Sequence, residues 1–379
     1  MTQQSRVLGA ALLLLLLIIV LAGCGGAPVA QNWPGLTIDG DTVYVISGAP
    51  QQVYMLDAET GTQKGTFIPE GEPPKGAVYW SPVEVGDGLA FVGFAEPQNS
   101  TAAMYAFDPA TGEELWDIPA ELFVIPAPTY AGDVVYFGDT AGNVYAVDIE
   151  SKSIKPGWPF VAESAIWASP LVVGDTLYVA AMDHHVYALD RETGEVTWKQ
   201  EVGGAMAAQP TLDEDNGILY VGAFDGGVYA LDAASGEPVQ GFNFVSDGWV
   251  WSEVLVQDGR LYVTSLDGKM YALDPTTGDP LDGLTYDSAQ AGDKDDRLRA
   301  SPVESGESVI VAAESGRVVS TKDAVQQWAW PSGVPQQSVL TTPVVLDGTV
   351  FVVLEDGSVQ TLDAESGTQG WTFSPPEAD

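Results

Sequence analysis

Residues 169–198 read SPLVVGDTLYVAAMDHHVYALDRETGEVTW, and this stretch decides the fold. Apolar residues alternate through 176–180, as they do in a β-strand, where successive side chains point to opposite faces. Gly174-Asp175 and Thr193-Gly194 separate the apolar runs with residues that favour turns. The stretch therefore predicts short strands joined by tight turns.

The phrase Val-Tyr-Ala-Leu-Asp, which ends at Asp190, returns along the chain in the same or a similar form. Copies end at positions 57, 108, 148, 190, 232, 274 and 363, and a degenerate copy at 318–322 fills the widest gap. Each unit predicts four antiparallel strands, a to d, that cannot bury both faces alone. Eight such units packed radially can bury both faces of every unit. The sequence thus predicts an all-β fold, an eight-bladed β-propeller of four-stranded antiparallel blades over residues 33–379.

The units also share the pattern Ala-x-Asp-x-x-Thr-Gly-x-x-x-Trp, which is matched well at 108–116, 190–198 and 363–371. This pattern resembles the repeat of the PQQ-binding-like propellers, in which the tryptophan of strand d docks against the next blade. The resemblance implies blade-docking roles for Trp116, Trp198 and Trp371. Unit seven lacks the Thr-Gly turn. Units one, five and six have Gly65, Gln240 and Asp282 in place of the tryptophan, and in unit three Trp158 comes two residues late.

The N-terminus has the order of a secretory signal: one charge at Arg6, an apolar run over 7–20 and small residues before Cys24. A retained transmembrane helix is the alternative. Leu-Ala-Gly-Cys at 21–24 resembles the bacterial lipobox, in which the cysteine is acylated, and Cys24 is the chain's only cysteine. We therefore predict a signal peptide over 1–23, a lipidated Cys24 and a tether over 24–32. The protein is expected to be exported and anchored to the cell membrane, or to the outer membrane if the organism has one, with the propeller facing the periplasm or exterior.

The formal net charge is −39 at pH 7. Such a surface repels phosphate backbones, so no nucleic-acid partner is expected. The acidic residues are spread along the chain, which is typical of a soluble, self-repelling surface, and a calcium-collecting surface is the alternative. We expect a monomer.

The family resemblance raises the hypothesis of a quinoprotein dehydrogenase with pyrroloquinoline quinone (PQQ) and calcium at the propeller axis. Such sites commonly use a disulfide between adjacent cysteines, which one cysteine cannot form. His184 and His185 are neighbours, and neighbours in a strand point to opposite faces, so we interpret them as part of a polar turn. Loose binding of a metal ion together with Asp183 is the alternative. The sequence predicts no catalytic residue, no metal site and no cofactor.

The a-to-b and c-to-d turns of a propeller lie on one face, here called the turn face, and they are short and repetitive. The b-to-c turns and d-to-a crossovers lie on the other, here called the crossover face, and irregular loops concentrate there, at 95–101 and 284–296. Loops on a rigid scaffold are where recognition is usually found. The predicted binding face consists of Tyr79, Trp80, Trp167, Trp249, Trp251, Arg297 and Arg299. Two alternatives remain: the tryptophans pack between blades near the axis, and the arginines pair with Asp293, Asp295 and Asp296.

Within the resembling family, the eight blades without an added domain are similar to lipoproteins that help assemble the bacterial outer membrane. This likeness implies a non-catalytic scaffold of the cell envelope that binds envelope proteins and is attached to the membrane through Cys24. A propeller that binds cell-wall polysaccharide on its aromatic face, and a PQQ-dependent enzyme, are the alternatives.

Overall fold

The computed structural model describes residues 35–48, 51–69, 78–79, 81–96, 101–291, 296–335 and 337–376. The predicted signal peptide, Cys24, the tether, Trp80 and the side chain of Tyr79 lie outside the described residues. Within the described ranges, no helix is both long and apolar enough to cross a membrane.

The first four blades follow one another along the chain. Blade 1 contains β1 (Leu36–Asp39), β2 (Thr42–Gly48), β3 (Gln51–Asp57) and β4 (Gln63–Phe67). Blade 2 contains β5 (Val78–Tyr79), β6 (Glu84–Gly86), β7 (Leu89–Glu96), β8 (Thr101–Phe107) and β9 (Glu114–Ala120). Blade 3 contains β10 (Thr129–Ala131), β11 (Val134–Gly138), β12 (Asn143–Asp148), β13 (Ser153–Ile154) and β14 (Phe160–Val161). Blade 4 contains β15 (Leu171–Val173), β16 (Thr176–Ala180), β17 (His185–Asp190) and β18 (Val196–Glu201).

The last four blades continue in the same order. Blade 5 contains β19 (Thr211–Asp213), β20 (Ile218–Gly222), β21 (Gly227–Asp232) and β22 (Phe244–Val245). Blade 6 contains β23 (Leu255–Gln257), β24 (Arg260–Thr264), β25 (Lys269–Leu273) and β26 (Tyr286–Asp287), followed by a 3-10 helix (Ser288–Ala291). Blade 7 contains β27 (Val303–Ser305), β28 (Ser308–Ala312), β29 (Val318–Lys322) and β30 (Val325–Trp330). Blade 8 contains β31 (Val344–Leu346), β32 (Thr349–Val353), β33 (Val359–Asp363) and β34 (Gln369–Phe373).

These strands form eight antiparallel sheets, which confirms the predicted all-β, eight-bladed propeller. In blade 2 the innermost strand is split into β5 and β6, and in blade 3 the outermost strand is split into β13 and β14. The first strands of neighbouring blades contact one another, as β23 does with β19 and β27, so strand a is the innermost of each blade. Strand a therefore lines the axis and strand d forms the rim.

Alternating side chains in each blade fill two separate cores. In blade 4, Leu177 and Val179 pack against blade 3, whereas Tyr178 and Ala180 pack against blade 5. All eight junctions between neighbouring blades have a core of this kind. Both faces of a blade are thus apolar because each is covered by a neighbour.

The tryptophans of strand d dock on the following blade. The indole Nε1 of Trp198 donates to the Ala233 carbonyl of blade 5 at 3.1 Å, and that of Trp328 donates to the Ala364 carbonyl of blade 8 at 2.9 Å. Their rings lie against the glycines of the next c-to-d turn, Gly236 and Gly367. Trp116 packs against the core that blade 2 shares with blade 3, and Trp158 lies against Gly194 of blade 4.

Within the described ranges, the ring closes between blade 8 and blade 1 without exchange of a strand. Blade 1 consists of the first four described strands of the chain, and blade 8 consists of the last four. Trp371 of blade 8 donates from Nε1 to the Ala58 carbonyl at 3.1 Å, and its ring lies on Gly61. Closure therefore depends on side-chain docking and on the apolar core that the two blades share.

Candidate functional site

In blades 3 to 8 the d-to-a crossover is tied to the b-to-c turn of the blade it enters. The Leu266 amide donates to the Trp249 carbonyl at 2.9 Å in blade 6, and the Glu314 amide donates to the Arg297 carbonyl at 2.9 Å in blade 7. The same bond joins residues 140 and 123, 182 and 165, 224 and 205, and 355 and 338. This repeated bond places equivalent crossover residues at equivalent points of the crossover face.

Blades 6 and 7 are neighbours, and they carry different groups of three residues at the same position of the crossover face. Blade 6 carries Trp249-Val250-Trp251 where blade 7 carries Arg297-Leu298-Arg299. The middle residues, Val250 and Leu298, are buried in the cores between blades. The outer two of each triplet consequently point towards the crossover face and the axis.

Four aromatic rings meet at the centre of this face. Trp249 stacks on Phe224 with ring centroids 5.0 Å apart, and Trp251 stacks on the same Phe224 at 4.7 Å. Trp251 also contacts Trp167, from two blades away, at 6.2 Å. In the intervening blade the equivalent position is Ala207, whose small side chain leaves room for the two tryptophans to meet.

Charged groups extend the aromatic cluster on the blade 7 side. The Arg299 guanidinium carbon lies 4.8 Å from the Trp251 ring centroid, within cation–π range. Its Nε lies 2.9 Å from Glu314 Oε1, while Arg297 Nε lies 3.0 Å from Glu314 Oε2. Burial lowers the pKa of Arg299, although the charge of Glu314 opposes this shift. Phe224, Trp167, Trp249, Trp251 and Arg299 are called the axial cluster below.

The residues of the axial cluster differ in solvent exposure, with a buried base and an exposed surface. Trp167 and Arg299 are only 5% and 9% exposed and form the base. Trp249 is 42% exposed, and the side chain of Arg297 beside it is 51% exposed. The predicted residues in the described part are thus brought together, but only Trp249 and Arg297 offer a large accessible surface.

Some members of the site are absent from the sequence prediction. Phe224 and Glu314 occupy equivalent positions in the b-to-c turns, and repeat alignment of those turns could have placed them near the tryptophans. The arginines pair with Glu314 instead of Asp296, which accepts hydrogen bonds from Ser315. Asp293 and Asp295 lie outside the described residues.

Glu253 lies next to the cluster at the start of innermost strand β23. Its backbone N–H donates to Ser301 Oγ at 3.0 Å, and the Ser301 N–H donates to Thr342 Oγ1 at 3.0 Å, so these bonds link blades 6, 7 and 8 around the axis. Glu253 keeps contact with solvent, although protein atoms surround its carboxyl group. Burial among the surrounding protein atoms raises the pKa of Glu253 to about 7.

Glu253→Gln is expected to stabilise the protein at pH 8 and to have little effect at pH 4. Because the carboxyl has a higher pKa in the folded chain than its usual 4.5, the folded state binds more protons between these values, and its stability falls as the pH rises from 4.5 to 7. The gain at pH 8 should be about 1 kcal/mol, since solvent contact reduces the full effect. Urea unfolding at both pH values measures it, and an equal effect at both would contradict the prediction.

The two histidines occupy the b-to-c turn of blade 4. His184 has a φ of 69° where several other units have glycine, and His185 Nδ1 lies 2.9 Å from the Asp183 carbonyl oxygen. In the described ranges, no three His, Cys, Asp or Glu side chains are grouped to hold a metal ion.

The residues of the axis do not fit PQQ as the resembling enzymes hold it. The sole cysteine, Cys24, precedes the propeller, so the disulfide that covers the cofactor in such enzymes cannot form. At the axis, Trp251 packs directly against Phe224 and Arg299.

The fold resembles solved propellers throughout its length. The crystal structure of BamB from Moraxella catarrhalis matches with a TM-score of 0.68 at 19% identity, covering 89% of this chain and 96% of that chain. The crystal structure of the computationally designed Ika8 protein matches with a TM-score of 0.71 at 16% identity, covering 87% and 96%. At these identities the likeness shows the fold alone. No similar sequence was found among curated proteins.

A family model described as outer membrane protein assembly factor BamB matches residues 70–155, 153–327 and 279–378 of this chain. The matched ranges include every blade from the second to the eighth and all described residues of the axial cluster. The chain therefore belongs to the family of the outer membrane protein assembly factor BamB.

Proposed function

We propose that this chain is a non-catalytic lipoprotein of the cell envelope, a rigid scaffold that binds other proteins during membrane-protein assembly. Lipidation at Cys24 would attach it to the membrane, and the outer membrane is the expected location where the organism has one. Membership of the BamB family supports this role, since the family's description is that of an assembly factor.

The observation that carries the proposal is the exposed aromatic surface at the centre of the crossover face. Trp249 is 42% exposed and is held by stacking on Phe224, so little side-chain freedom is lost when a partner covers it. Arg297 lies at the equivalent position of the next blade, half-exposed and oriented by Glu314. Tryptophan and arginine are the residues that most often dominate binding energy at protein interfaces.

Trp249→Ala should reduce the recovery of partner proteins by about tenfold or more, the effect typical of an interface anchor. The measurement is affinity capture of the full-length protein from crosslinked membranes, with each recovered protein quantified by mass spectrometry. Val196→Ala is the matched control, because Val196 is 47% exposed but lies on the rim strand β18. Unchanged recovery with Trp249→Ala would exclude this surface as the protein-binding site.

The alternative that the propeller binds carbohydrate predicts a different experimental result. Exposed tryptophan rings also stack on sugars, so purified cell-wall fragments should be tested for direct binding to the same variants. Loss of glycan binding in Trp249→Ala with unchanged protein recovery would favour that alternative over the scaffold.

A further inference from the structure

A depression of about 760 Å³ lies at the junction of blades 8 and 1, where the rim meets the turn face. Blade 1 contributes Ala58 and Glu59 of its c-to-d turn, and blade 8 contributes its own c-to-d turn and the first residues of rim strand β34. The axial cluster lies on the opposite face of the propeller. Small-molecule sites have volumes of about 300–1,000 Å³, so the depression is large enough for such a ligand.

The depression forms at this junction because residue 370 is glycine. In blade 4 the equivalent residue is Thr197, whose hydroxyl donates to the Ala188 carbonyl at 3.0 Å, so its side chain lies over strand c. In blade 8 the residue equivalent to Ala188 is Thr361, which is 2% exposed. A Cβ at Gly370 would lie only 2.5 Å from Thr361 Oγ1, so blade 8 holds a hydroxyl where a side chain from strand d would otherwise lie.

The c-to-d turn of blade 8 presents hydrogen-bond acceptors to the depression. Ser366 Oγ donates to Asp363 Oδ1 at 2.6 Å and lies 2.8 Å from Thr368 Oγ1. Since the Ser366 proton is directed to Asp363, Thr368 is the donor to Ser366, and its oxygen retains lone pairs for a ligand. The hydrogen bonds from Ser366 also lower the pKa of Asp363, so this carboxylate is ionised at neutral pH.

Two further polar groups line the depression from its two blades. Glu59 of blade 1 adds a second exposed carboxylate, and Gln369 of β34 adds an exposed amide. The equivalent residues at the junction of blades 4 and 5 are Ala234 and Val196. That junction has the same docked tryptophan but lacks both polar groups, so tryptophan docking does not account for them.

The lining disfavours anions and lipids. In the part of the chain that the structure describes, the residues around the depression include no lysine or arginine, so a phosphate or carboxylate would meet only like charge. The apolar surface is limited to Ala58, Leu362 and the half-buried Trp371, which is too little to cover an acyl chain. A ligand that donates several hydrogen bonds and also has an apolar ring face, as a sugar does, satisfies both conditions.

We propose that the depression between blades 8 and 1 is a binding site for an uncharged oligosaccharide. Sugar hydroxyl groups donate to Asp363, Glu59 and Thr368, and a sugar ring lies against Trp371. This site lies on the opposite face from Trp249 and does not depend on the proposed scaffold function.

The site is tested by ¹⁹F NMR of the full-length protein labelled with 5-fluorotryptophan, in which single Trp→Phe variants assign the resonances. The probes are the linear tetrasaccharides of glucose and of N-acetylglucosamine. The Trp371 resonance should shift in a saturable manner with at least one of them, whereas that of Trp198, docked in the same way between blades 4 and 5, should not. Absence of a Trp371 shift with both probes would overturn the proposal.

Variants taken from blades 4 and 5 test the lining. Thr361→Ala combined with Gly370→Thr gives blade 8 the residues of blade 4, so the fold should be retained, as circular dichroism would check, and sugar affinity should fall about tenfold or more. Glu59→Ala, which introduces the blade 5 residue, should weaken binding by about threefold to tenfold. Thr197→Ala is the matched control and should leave binding unchanged.

Three results would contradict the assignment. Unchanged affinity in the folded double variant would show that the depression is not the site. Loss of sugar binding in Trp249→Ala would place the sugar on the crossover face instead. A Trp371 shift with tetralysine but with neither sugar would mean that the two carboxylates bind amines and not hydroxyl groups.

Discussion

Replacing Trp371 with alanine is expected to lower the free energy of unfolding by about 3 kcal/mol and to loosen the ring between blades 8 and 1. The indole packs into the core that these two blades share and donates to the Ala58 carbonyl at 3.1 Å. Among the residues that the structure describes, no strand passes from one blade to the other, so no shared strand there holds this junction closed. Urea unfolding and amide hydrogen exchange of β1 and β34 measure the two effects.

Two further variants separate packing, hydrogen bonding and ring closure. Trp371→Phe keeps a ring but loses the N–H donor, so about 1 kcal/mol should be lost. Trp198→Ala removes the same contact between blades 4 and 5, which the chain joins directly. A similar global loss is expected there, without faster exchange in β1 and β34. If Trp371→Ala cost no more than Trp371→Phe, the docked indole would not be what closes the ring.

The number and type of blades could be predicted because the repeat encodes local structure. Alternating residues such as Leu177 and Tyr178 feed two different cores, and the turn residues between strands recur at fixed positions. Asp190 shows the local control: its Oδ1 accepts from the Thr193 N–H at 2.8 Å and from the Thr193 hydroxyl at 2.9 Å. Such contacts depend on a few neighbouring residues, so the sequence alone specifies them.

Contacts between blades were harder to predict, because the two halves of one contact lie in different units. Unit seven lacks the Thr-Gly turn, yet its Trp328 docks normally, since the glycine it contacts is Gly367 of blade 8. Conversely, Gly112 of blade 2 receives no tryptophan, because unit one has Gly65 at that position; its neighbour is the Thr66 carbonyl. The motif is continuous in sequence, but its glycine contributes to the junction with the preceding blade and its tryptophan to the junction with the following blade.

The contacts within the candidate site were equally hard to predict from the sequence. Repeat alignment places Trp251 and Arg299 at equivalent positions, but it does not indicate that they lie 4.8 Å apart. The small Ala207 that lets Trp167 reach Trp251 gives no chemical signal of its own. The sequence could therefore place these residues in the crossovers, whereas their burial and their pairing with Glu314 required the three-dimensional structure.

Gly236→Ala should destabilise the protein by about 3 kcal/mol, because two separate costs act at this position. Its φ is 77°, in the left-handed region that L-residues with a Cβ avoid. A Cβ there would also lie 2.6 Å from Cδ2 and Cε3 of the Trp198 ring. The same glycine thus makes the turn and provides the surface on which the preceding blade docks.

Gly217 of the same blade is the matched control for the backbone cost. Its φ is 65°, but a Cβ added there would meet no atom within 4 Å, so Gly217→Ala should cost only about 1 kcal/mol. Combining Gly236→Ala with Trp198→Ala tests the steric part, because removing the ring removes the clash. The double variant should be more stable than the sum of the two single losses predicts, by about 1–2 kcal/mol in a double-mutant cycle from urea unfolding. Strict additivity, or equal losses for the two glycine variants, would mean that tryptophan docking does not require glycine at this turn.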